Sequence, residues 1–363
     1  MSEFSAALRA VPPPFFVRLA ALWRQWRAEL FGTRLNAALT LGSLAFLAWA
    51  VPPVFRWAVL DATWTGTAET CAASDGACWA FIGEKLRFMA FGPYPAELRW
   101  QPALATTLLL ALVVASCVPR LWGRALPPAW IAAIAAAVLL MAGGITAPSV
   151  PTGQWGGMPL TVLLCVAGLA GAFPLAVLLA IGRRSNMLVA RVLATGFIEV
   201  VRGVPLIAVL YVATLMVPLM LPAGMMMDKL LRTQIAIILF AAAYMAEIIR
   251  AGLQSVPAGQ YEAARALGLP FWPLMRLVVL PQALRTVIPS FVTLGIGILQ
   301  DTTLVVVIGV FDFLNAARTA ATDPDWLGFY DEAFIFAASV YFLLCFAASR
   351  YSLWLERRLQ PGG

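Results

Sequence analysis

The sequence predicts an all-α integral membrane protein with about eight transmembrane helices. Of its 363 residues, 62% are hydrophobic and only 12% are charged. A water-soluble chain carries about 45–50% apolar and about 25% charged residues, so this chain has too little polar surface to cover a globule in water. Its mean hydropathy is +0.86, and many of its apolar runs are long enough to cross about 30 Å of hydrocarbon.

A spanning helix needs about 20 mainly apolar residues, and eight runs of that kind occur. They lie at 36–59, 103–122, 127–147, 159–182, 204–222, 233–253, 285–310 and 332–350. Residues 1–35 are amphipathic and contain several arginines, but they lack the short apolar core and cleavage site of a signal peptide. Within this cytoplasmic segment we interpret residues 14–31 as an interfacial helix on the cytoplasmic leaflet, with a solvent-facing helix as the alternative.

The distribution of basic residues predicts the orientation. An N-terminus on the inside places 18 of the 25 Lys and Arg residues in the cytoplasm, as the positive-inside rule requires. Eight crossings then put the C-terminal tail, residues 356–363, in the cytoplasm as well. The outer loops are 61–101, 147–158, 223–232 and 311–331.

The outer loop at 61–101 is too long to be a simple connection. Its Cys71 and Cys78 would face an oxidising compartment, which makes them candidates for a disulfide; two free structural thiols are the alternative. Cys117, Cys165 and Cys345 fall in apolar runs, and we interpret them as packing residues.

Several chemistries are excluded by composition. The chain has no histidine, which rules out imidazole catalysis and His-ligated haem or metal. Its five cysteines form no CxxC pair, so the common zinc and iron–sulfur motifs are absent. No GxxxxGK[ST] motif is present to bind ATP. In a membrane protein a surplus of basic residues, here a net charge of +7, determines the orientation in the membrane rather than binding to nucleic acid. From these observations together, we expect this chain to bind no metal, cofactor or nucleic acid.

The connection at 255–285 predicts two ordered elements. Pro257 is a helix start signal, and 258–267 are mostly good helix formers. Gly268 is suited to end that helix in a left-handed conformation, and Pro270 prevents its continuation. A second apolar element then leads back into the membrane.

This connection resembles the EAA-x3-G-x9-I-x-LP signature of ABC importer permeases. The matching residues are Glu262-Ala263-Ala264, Gly268, Val278, Leu280 and Pro281, with Val in place of Ile. In that family the segment is a coupling helix that docks on a cytoplasmic ATPase. The resemblance therefore implies an ATPase-coupling site formed by Tyr261, Glu262, Ala263, Ala264, Leu267, Gly268 and Leu269.

Further segments resemble polar amino-acid permeases. They are Phe197-Ile198-Glu199 with Arg202-Gly203-Val204-Pro205-Leu206, Ala243-Tyr244-Met245-Ala246-Glu247 with Arg250, and Gln300-Asp301-Thr302-Thr303-Leu304, which has Gln for Lys and Thr for Ser in the family's KDTSL. The added N-terminal spans resemble the larger permease subunit of general L-amino-acid importers. A type I ABC importer permease core of five spans at 158–355 is thus implied, with a three-span extension at 36–157.

The resemblance implies a permease subunit of an ATP-driven, binding-protein-dependent importer of polar L-amino acids in the bacterial inner membrane. The implied partners are a homologous permease forming a heterodimer, a cytoplasmic ATPase dimer that binds ATP and Mg²⁺, a periplasmic amino-acid-binding protein and membrane lipid. Such a chain is not an enzyme. The alternative is an ion-coupled secondary transporter or channel. A protein of that class has no ATPase partner, so it has no need of a coupling helix that ends at a glycine.

Asp301 is the leading candidate for substrate binding, because an ionisable group inside the bilayer is costly and usually functional. Pro289, Gly295 and Gly297 predict a broken helix beside it that lines a cavity. Asp301 would pair with a substrate ammonium; the alternative is a structural ion pair or a helix cap. The implied substrate pathway comprises Glu199, Arg202, Tyr244, Glu247, Gln300, Asp301, Thr302 and Thr303.

Two pairs of opposite charge have helical i, i+3 spacing near the inner ends of spans. Glu247 and Arg250 predict an intrahelical salt bridge. Glu199 and Arg202 either gate the inner end of the pathway or form a second such bridge. In the fourth span, Gly168 forms part of a small-residue face that suits close helix crossing, within the chain or across a permease dimer.

Overall fold

The computed structural model describes residues 15–359 apart from 122, 145–147, 223, 224 and 226. Of the predicted N-terminal segment, residues 1–14 lie outside the described residues, as do residues 360–363 of the predicted tail. The described residues are mostly helical, which confirms the all-α class. The chain divides into two compact units, one ending at Ala80 and the other beginning at Phe81.

The first unit contains helices α1 (Phe15–Phe31), α2 (Arg34–Phe55) and α3 (Ala68–Ala72). Pro52 and Pro53 lie inside α2, and a π-helical turn at Arg56–Leu60 follows them. Prolines remove backbone donors, so an irregular turn close to them is expected. No residue of α2 is buried within the described part of the chain, which fits an apolar helix surrounded by lipid.

The predicted outer loop after α2 is ordered by a disulfide and by an aromatic cluster. Cys71 and Cys78 are bonded through their Sγ atoms, so the structure contains the disulfide rather than two free thiols. The ring of Trp79 lies 6.5 Å from that of Trp57 and 6.1 Å from that of Trp64, measured between centroids. This segment is a folded element rather than a flexible connection.

The second unit contains the remaining helices, the first of which begins two residues before the unit does. They are α4 (Trp79–Phe91), α5 (Trp100–Ser116), α6 (Leu126–Ala142), α7 (Gly157–Arg183), α8 (Leu188–Gly203), α9 (Leu206–Tyr211), α10 (Val217–Met220), α11 (Lys229–Ser255), α12 (Ala258–Ala266), α13 (Phe271–Leu274), α14 (Leu280–Asp301), α15 (Phe313–Ala320) and α16 (Tyr330–Leu359). Its core lies between α7 and α11. A Cβ at Gly168 would lie 2.7 Å from Cγ2 of Ile237, so the small-residue face of α7 joins helices within this chain.

Six helical segments in the described residues are long and apolar enough to cross a membrane, which confirms a multi-pass membrane protein. They are Arg34–Leu60, Ala96–Ser116, Gly157–Arg183, Lys229–Ser255, Phe271–Ile308 and Tyr330–Arg357. Helix α8 and the α9–α10 segment are bent by 104° and make a seventh if counted as one span. Helix α6 has 17 residues, about 25 Å, which is shorter than the hydrocarbon core. The predicted count of eight spans is therefore not confirmed.

The seventh apolar run is irregular in a different place from the one predicted. Pro289, Gly295 and Gly297 lie inside the continuous helix α14. The irregular turns are instead a π-helical turn at Met275–Val279 and a 3-10 helix at Thr302–Ile308. The first two residues of the 3-10 helix donate their hydroxyls to carbonyls three positions back, and this local bonding favours the tighter turn. The predicted break at the glycines was wrong.

Helix α4 packs against the connection that precedes α16. Nζ of Lys85 lies 2.7 Å from Oδ2 of Asp323, and this hydrogen bond holds the pKa of Asp323 below its ordinary value. The ring of Phe81 lies 5.9 Å from that of Trp326 and 5.7 Å from that of Phe329. The predicted outer loop 311–331 is therefore supported by a helix from the N-terminal part of the chain.

The start of α7 closely approaches the segment at 311–312, which begins the predicted outer loop 311–331. Gly156 and Gly157 form parallel β-bridges with Phe311 and Asp312. Gly157 has a φ of +68°, and a Cβ there would overlap the carbonyl oxygen of Ala90. Only glycine satisfies both demands.

Asp312 is buried and caps α15. Its carboxylate accepts hydrogen bonds from the N–H groups of Leu314 at 3.1 Å and Asn315 at 3.0 Å, as expected of an N-cap residue. The O–H of Tyr341 lies 3.4 Å from its Oδ2. Burial raises the pKa of Asp312 to about 6, although these hydrogen bonds oppose the shift.

We expect Asp312 to make the protein less stable as the pH rises from about 4 to about 6. In this window the unfolded chain releases a proton that the folded chain keeps, so the free energy of unfolding falls by about 2–3 kcal/mol. Asp312→Asn keeps a capping oxygen and should remove that dependence. Asp312→Ala should remove the dependence too, but it also loses the cap, which should cost about 1 kcal/mol at pH 4, where the carboxyl is still largely protonated. Thermal denaturation in detergent from pH 4 to 7 measures both, and an unchanged slope in Asp312→Asn would contradict the assignment.

Candidate functional site

Residues 258–269, comprising α12 and the turn after it, form the first candidate site, here termed the coupling segment. Gly268 has a φ of +73°, the left-handed conformation predicted for the helix stop. Its N–H donates to the carbonyl of Arg265 at 2.9 Å, and the N–H of Leu269 donates to that of Ala264 at 3.1 Å. These two bonds make a Schellman motif, so the helix ends where the sequence predicted.

One side of the coupling segment is fixed to its own chain. The O–H of Tyr261 donates to the carbonyl of Leu253 at 3.0 Å, near the end of α11. The amide of Gln282, on α14, donates to Gln260 at 3.1 Å. Ala264 is only 3% exposed. The coupling segment is therefore attached directly to α11 and α14.

The other side of the coupling segment is an exposed apolar surface. Leu267 is 81% exposed, and Phe271 and Trp272 just beyond it are also exposed. A Cβ at Gly268 would meet no atom of this chain within 4 Å. Exposed apolar patches of this kind mark sites where another protein binds.

The seven residues predicted for coupling thus divide into two groups. Glu262, Ala263, Leu267 and Gly268 are exposed, whereas Tyr261, Ala264 and Leu269 are partly or fully buried in their own chain. The small side chain of Ala264 consequently serves internal packing and does not offer a close approach to another protein.

The second candidate site is a cavity of about 650 Å³ between α11, α14 and the start of α9. It is lined by Arg202, Leu206, Phe240, Tyr244, Glu247, Ile248, Ser290, Thr293, Leu294, Gly297, Ile298, Asp301 and Leu304. Sites for small molecules usually measure about 300–1,000 Å³ and combine an apolar lining with a few polar groups. This cavity has both properties.

Asp301 lies on the wall of the cavity at the last residue of α14. Among the described residues its carboxylate belongs to no ion pair, and it does not cap the 3-10 helix that follows. Within the described residues, therefore, no contact supports either structural alternative for Asp301, namely an ion pair or a helix cap. The described residues also contain no group of three His, Cys, Asp or Glu side chains that could hold a metal ion.

Three neighbours of Asp301 that were predicted for the pathway do not line the cavity. Nε2 of Gln300 lies 3.9 Å from Sγ of Cys345 on α16. Thr302 is 1% exposed, and Thr303 donates its hydroxyl to the carbonyl of Gln300. Successive residues of a helix point in different directions, so Asp301 faces the cavity while these three neighbours do not.

Two polar cavity residues were missed by the sequence prediction. Ser290 and Thr293 precede Gly297 and Asp301 at positions i, i+3, i+7 and i+11 of the same helix, and all four line the cavity. That spacing places them on one face. The sequence could have revealed these two residues, because they belong to a stripe of polar and small residues along an otherwise apolar helix.

Glu247 belongs to an ion cluster at the edge of the cavity. Its Oε1 lies 2.5 Å from Nη2 of Arg250, the intrahelical pair that was predicted. Its Oε2 lies 3.1 Å from Nη1 of Arg183, and Nη2 of Arg183 lies 2.7 Å from Oε1 of Glu199. The cluster therefore joins α7, α8 and α11.

Glu199 and Arg202 do not pair with one another. Glu199 binds Arg183 instead, while Cζ of Arg202 lies 5.3 Å from the ring centroid of Tyr244, a cation–π contact. Of the two alternatives for this pair, the local bridge is not formed, because a cation from another helix and an aromatic face compete for the two groups. Arg202 and Tyr244 line the cavity, whereas Glu199 lies outside its lining.

Comparison with known proteins identifies relatives along most of the chain. The family model described as "Binding-protein-dependent transport system inner membrane component" matches residues 172–361. The inner membrane amino-acid ABC transporter permease protein YhdY of Escherichia coli (strain K12) is 44% identical over 344 residues, 93% of this chain and 92% of that protein.

A second relative covers a similar share of the chain. The glutamate/glutamine/aspartate/asparagine transport system permease protein BztC of Rhodobacter capsulatus is 35% identical over 418 residues, 96% of this chain and 96% of that protein. A chain in the crystal structure of an amino acid ABC transporter with histidines is 30% identical with a TM-score of 0.50, and the match covers 56% of this chain and 92% of that one. The chain therefore belongs to the family of binding-protein-dependent transport system inner membrane components: it is an ABC transporter permease, not an enzyme.

Proposed function

We propose that this permease forms part of the translocation pathway of an ATP-driven importer of polar L-amino acids. The observation that carries the proposal is the carboxylate of Asp301, which faces a cavity of about 650 Å³ and forms no ion pair within the described residues. An unpaired charge inside the hydrocarbon region is costly, and a cationic group on a ligand would offset that cost.

The cavity offers groups of both signs to an amino acid. Asp301 would accept hydrogen bonds from the ammonium, and the guanidinium of Arg202 would bind the carboxylate. The hydroxyls of Ser290 and Thr293 lie on the same wall and would bind polar parts of the ligand. The relatives BztC and the glutamate/aspartate import permease GltK of Escherichia coli, 36% identical over 207 residues, support acidic amino acids and their amides as the substrate class.

The exposed surface of the coupling segment would bind the ATPase partner. Leu267 and Trp272 would bury apolar area there, and Glu262, which is exposed and has no ion pair within the described residues, would set the register. ATP and Mg²⁺ would be bound entirely by that partner. A periplasmic binding protein would deliver the amino acid to the outer loops, and a homologous permease would complete the pathway as a heterodimer.

The finer organisation is also a proposal. The permease core would occupy 158–355, with residues 36–157 as an N-terminal extension. Both termini would be cytoplasmic, because this orientation places most arginines inside. In that arrangement the coupling segment lies in the cytoplasm and the layer around Gly157 and Asp312 lies outside.

Reconstitution tests the proposed function. The permease would be co-purified with its partner permease, ATPase and binding protein, and uptake of labelled glutamate, glutamine, aspartate and asparagine into proteoliposomes would be measured. We expect uptake that requires both ATP and the binding protein. Equal uptake by the permease without an ATPase would overturn the proposal in favour of a secondary transporter or channel.

A further inference from the structure

Arg183 lies where three helices meet. It is the last residue of α7, and its two terminal nitrogens contact Glu199 of α8 at 2.7 Å and Glu247 of α11 at 3.1 Å. The side chains of Arg183 and Glu247 are 23% and 24% exposed. The contact between these two side chains is therefore screened less than an ordinary surface salt bridge, whereas Glu199 is 57% exposed.

The two carboxylates belong to helices with different tasks. Helix α11 carries Glu247 and ends at Ser255, just before the coupling segment. Helix α8 carries Glu199 and, three residues later, Arg202 on the wall of the cavity. Arg183 therefore connects the helix next to the coupling segment with the helix that supplies a charged group to the cavity.

Helix α8 packs along α7 and α11 but buries few of its own side chains. Ala194 and Ile198 are its only buried residues, while Leu193 and Val200 are more than half exposed. After Gly203 the chain bends by 104° into the next helix. A helix with so few buried side chains shifts at low cost, and the ion pair to Arg183 helps to fix its position, together with the contact of Arg202 with Tyr244 of α11.

We propose that Arg183 is a positioning residue of the transport cycle, which transmits the movement of α11 to α8 through its two carboxylate contacts. This inference rests on the proposed function. When the ATPase displaces the coupling segment, the end of α11 moves, and Arg183 passes the displacement to α8 and so to Arg202. Because the guanidinium of Arg183 is planar and binds both carboxylates, it fixes the relative direction of the two helices as well as the distance between them.

The complete complex in proteoliposomes provides the test, with amino acid imported per ATP hydrolysed as the readout. Arg183→Gln should lower this ratio by about fivefold or more, because hydrolysis continues while α8 no longer follows α11. Arg184→Gln is the matched control. It removes the same charge from the adjacent position, and Arg184 forms no ion pair within the described residues.

Two more variants separate this role from simple stabilisation. Glu199→Gln removes only the contact with α8, and it should reproduce the loss even if Arg183→Gln does not assemble, since Glu199 is 57% exposed. The double variant should be no worse than either single variant, because both interrupt one link. Arg183→Lys keeps the charge but not the double contact, and it should restore the ratio only in part.

The outcomes separate the inference from the proposed function. If Arg183→Gln and Glu199→Gln import as much per ATP as Arg184→Gln, the inference is overturned. Additive losses in the double variant would overturn it too, because the two residues would then act independently. If the unsubstituted complex shows no ATP-driven import, the proposed function itself fails.

Discussion

We expect Glu262→Lys and Gly268→Asp each to abolish substrate-stimulated ATP hydrolysis in the reconstituted complex while the permease remains folded. Both positions are exposed, and a side chain at Gly268 would meet no atom of its own chain within 4 Å. A reversed or added charge would therefore act on the docked partner. Placing a charge in such an interface costs about 2 kcal/mol or more, at least about thirtyfold in affinity.

The measurements are ATPase activity with and without loaded binding protein, together with co-purification of the ATPase. Glu356→Lys is a matched control for Glu262→Lys, because Glu356 is an exposed carboxylate on α16, outside the coupling segment. Gly268→Ala adds a Cβ at a positive φ and so tests backbone strain, about 1 kcal/mol, without the charge. Normal stimulation in both charged variants would remove the coupling role from residues 258–269.

The coupling segment could be predicted in detail because its determinants are local. Pro257 starts α12, and Gly268 ends it with a positive φ that few other residues adopt. Which side of the segment is exposed could not be predicted in the same way. The burial of Ala264 depends on packing within the folded chain, and the signature treats it like its exposed neighbour Ala263.

The cavity was predicted only in part because its lining comes from several helices. Asp301 stood out as a charge inside an apolar run, but its neighbours in sequence point elsewhere. Arg183 gave no local signal at all. Its partners lie 16 and 64 positions away, and an arginine at the end of an apolar run usually marks only the membrane boundary.

The contacts of Gly157 and Asp312 could not be predicted from the sequence either. Both residues lie in segments that the hydropathy pattern assigns only to loops or to their borders. The β-bridge between them, and the burial that raises the pKa of Asp312 to about 6, arise from contacts between segments more than 150 positions apart. Patterns of hydrophobicity locate membrane helices well, but they carry little information on how the outer connections pack.

We expect Asp301→Asn to raise the substrate concentration for half-maximal uptake by about tenfold to a hundredfold, to a similar extent for every amino acid carried. The substitution keeps the shape but removes the charge, and a hydrogen bond to a charged group contributes about 1.5–3 kcal/mol. The ammonium is common to all amino acids, so the loss should not depend on the substrate side chain. Initial rates of ATP-dependent uptake across a range of concentrations measure it.

Stability separates a ligand-binding role of Asp301 from a structural one. Since this carboxylate forms no ion pair within the described residues and caps no helix, removing its charge leaves no partner unpaired, and the thermal midpoint in detergent should not fall. Glu356→Gln, which neutralises an exposed carboxylate away from the cavity, should leave both uptake and stability unchanged. Normal uptake with a lowered midpoint in Asp301→Asn would show that Asp301 supports the bundle instead, because only a structural contact loses free energy in the absence of substrate.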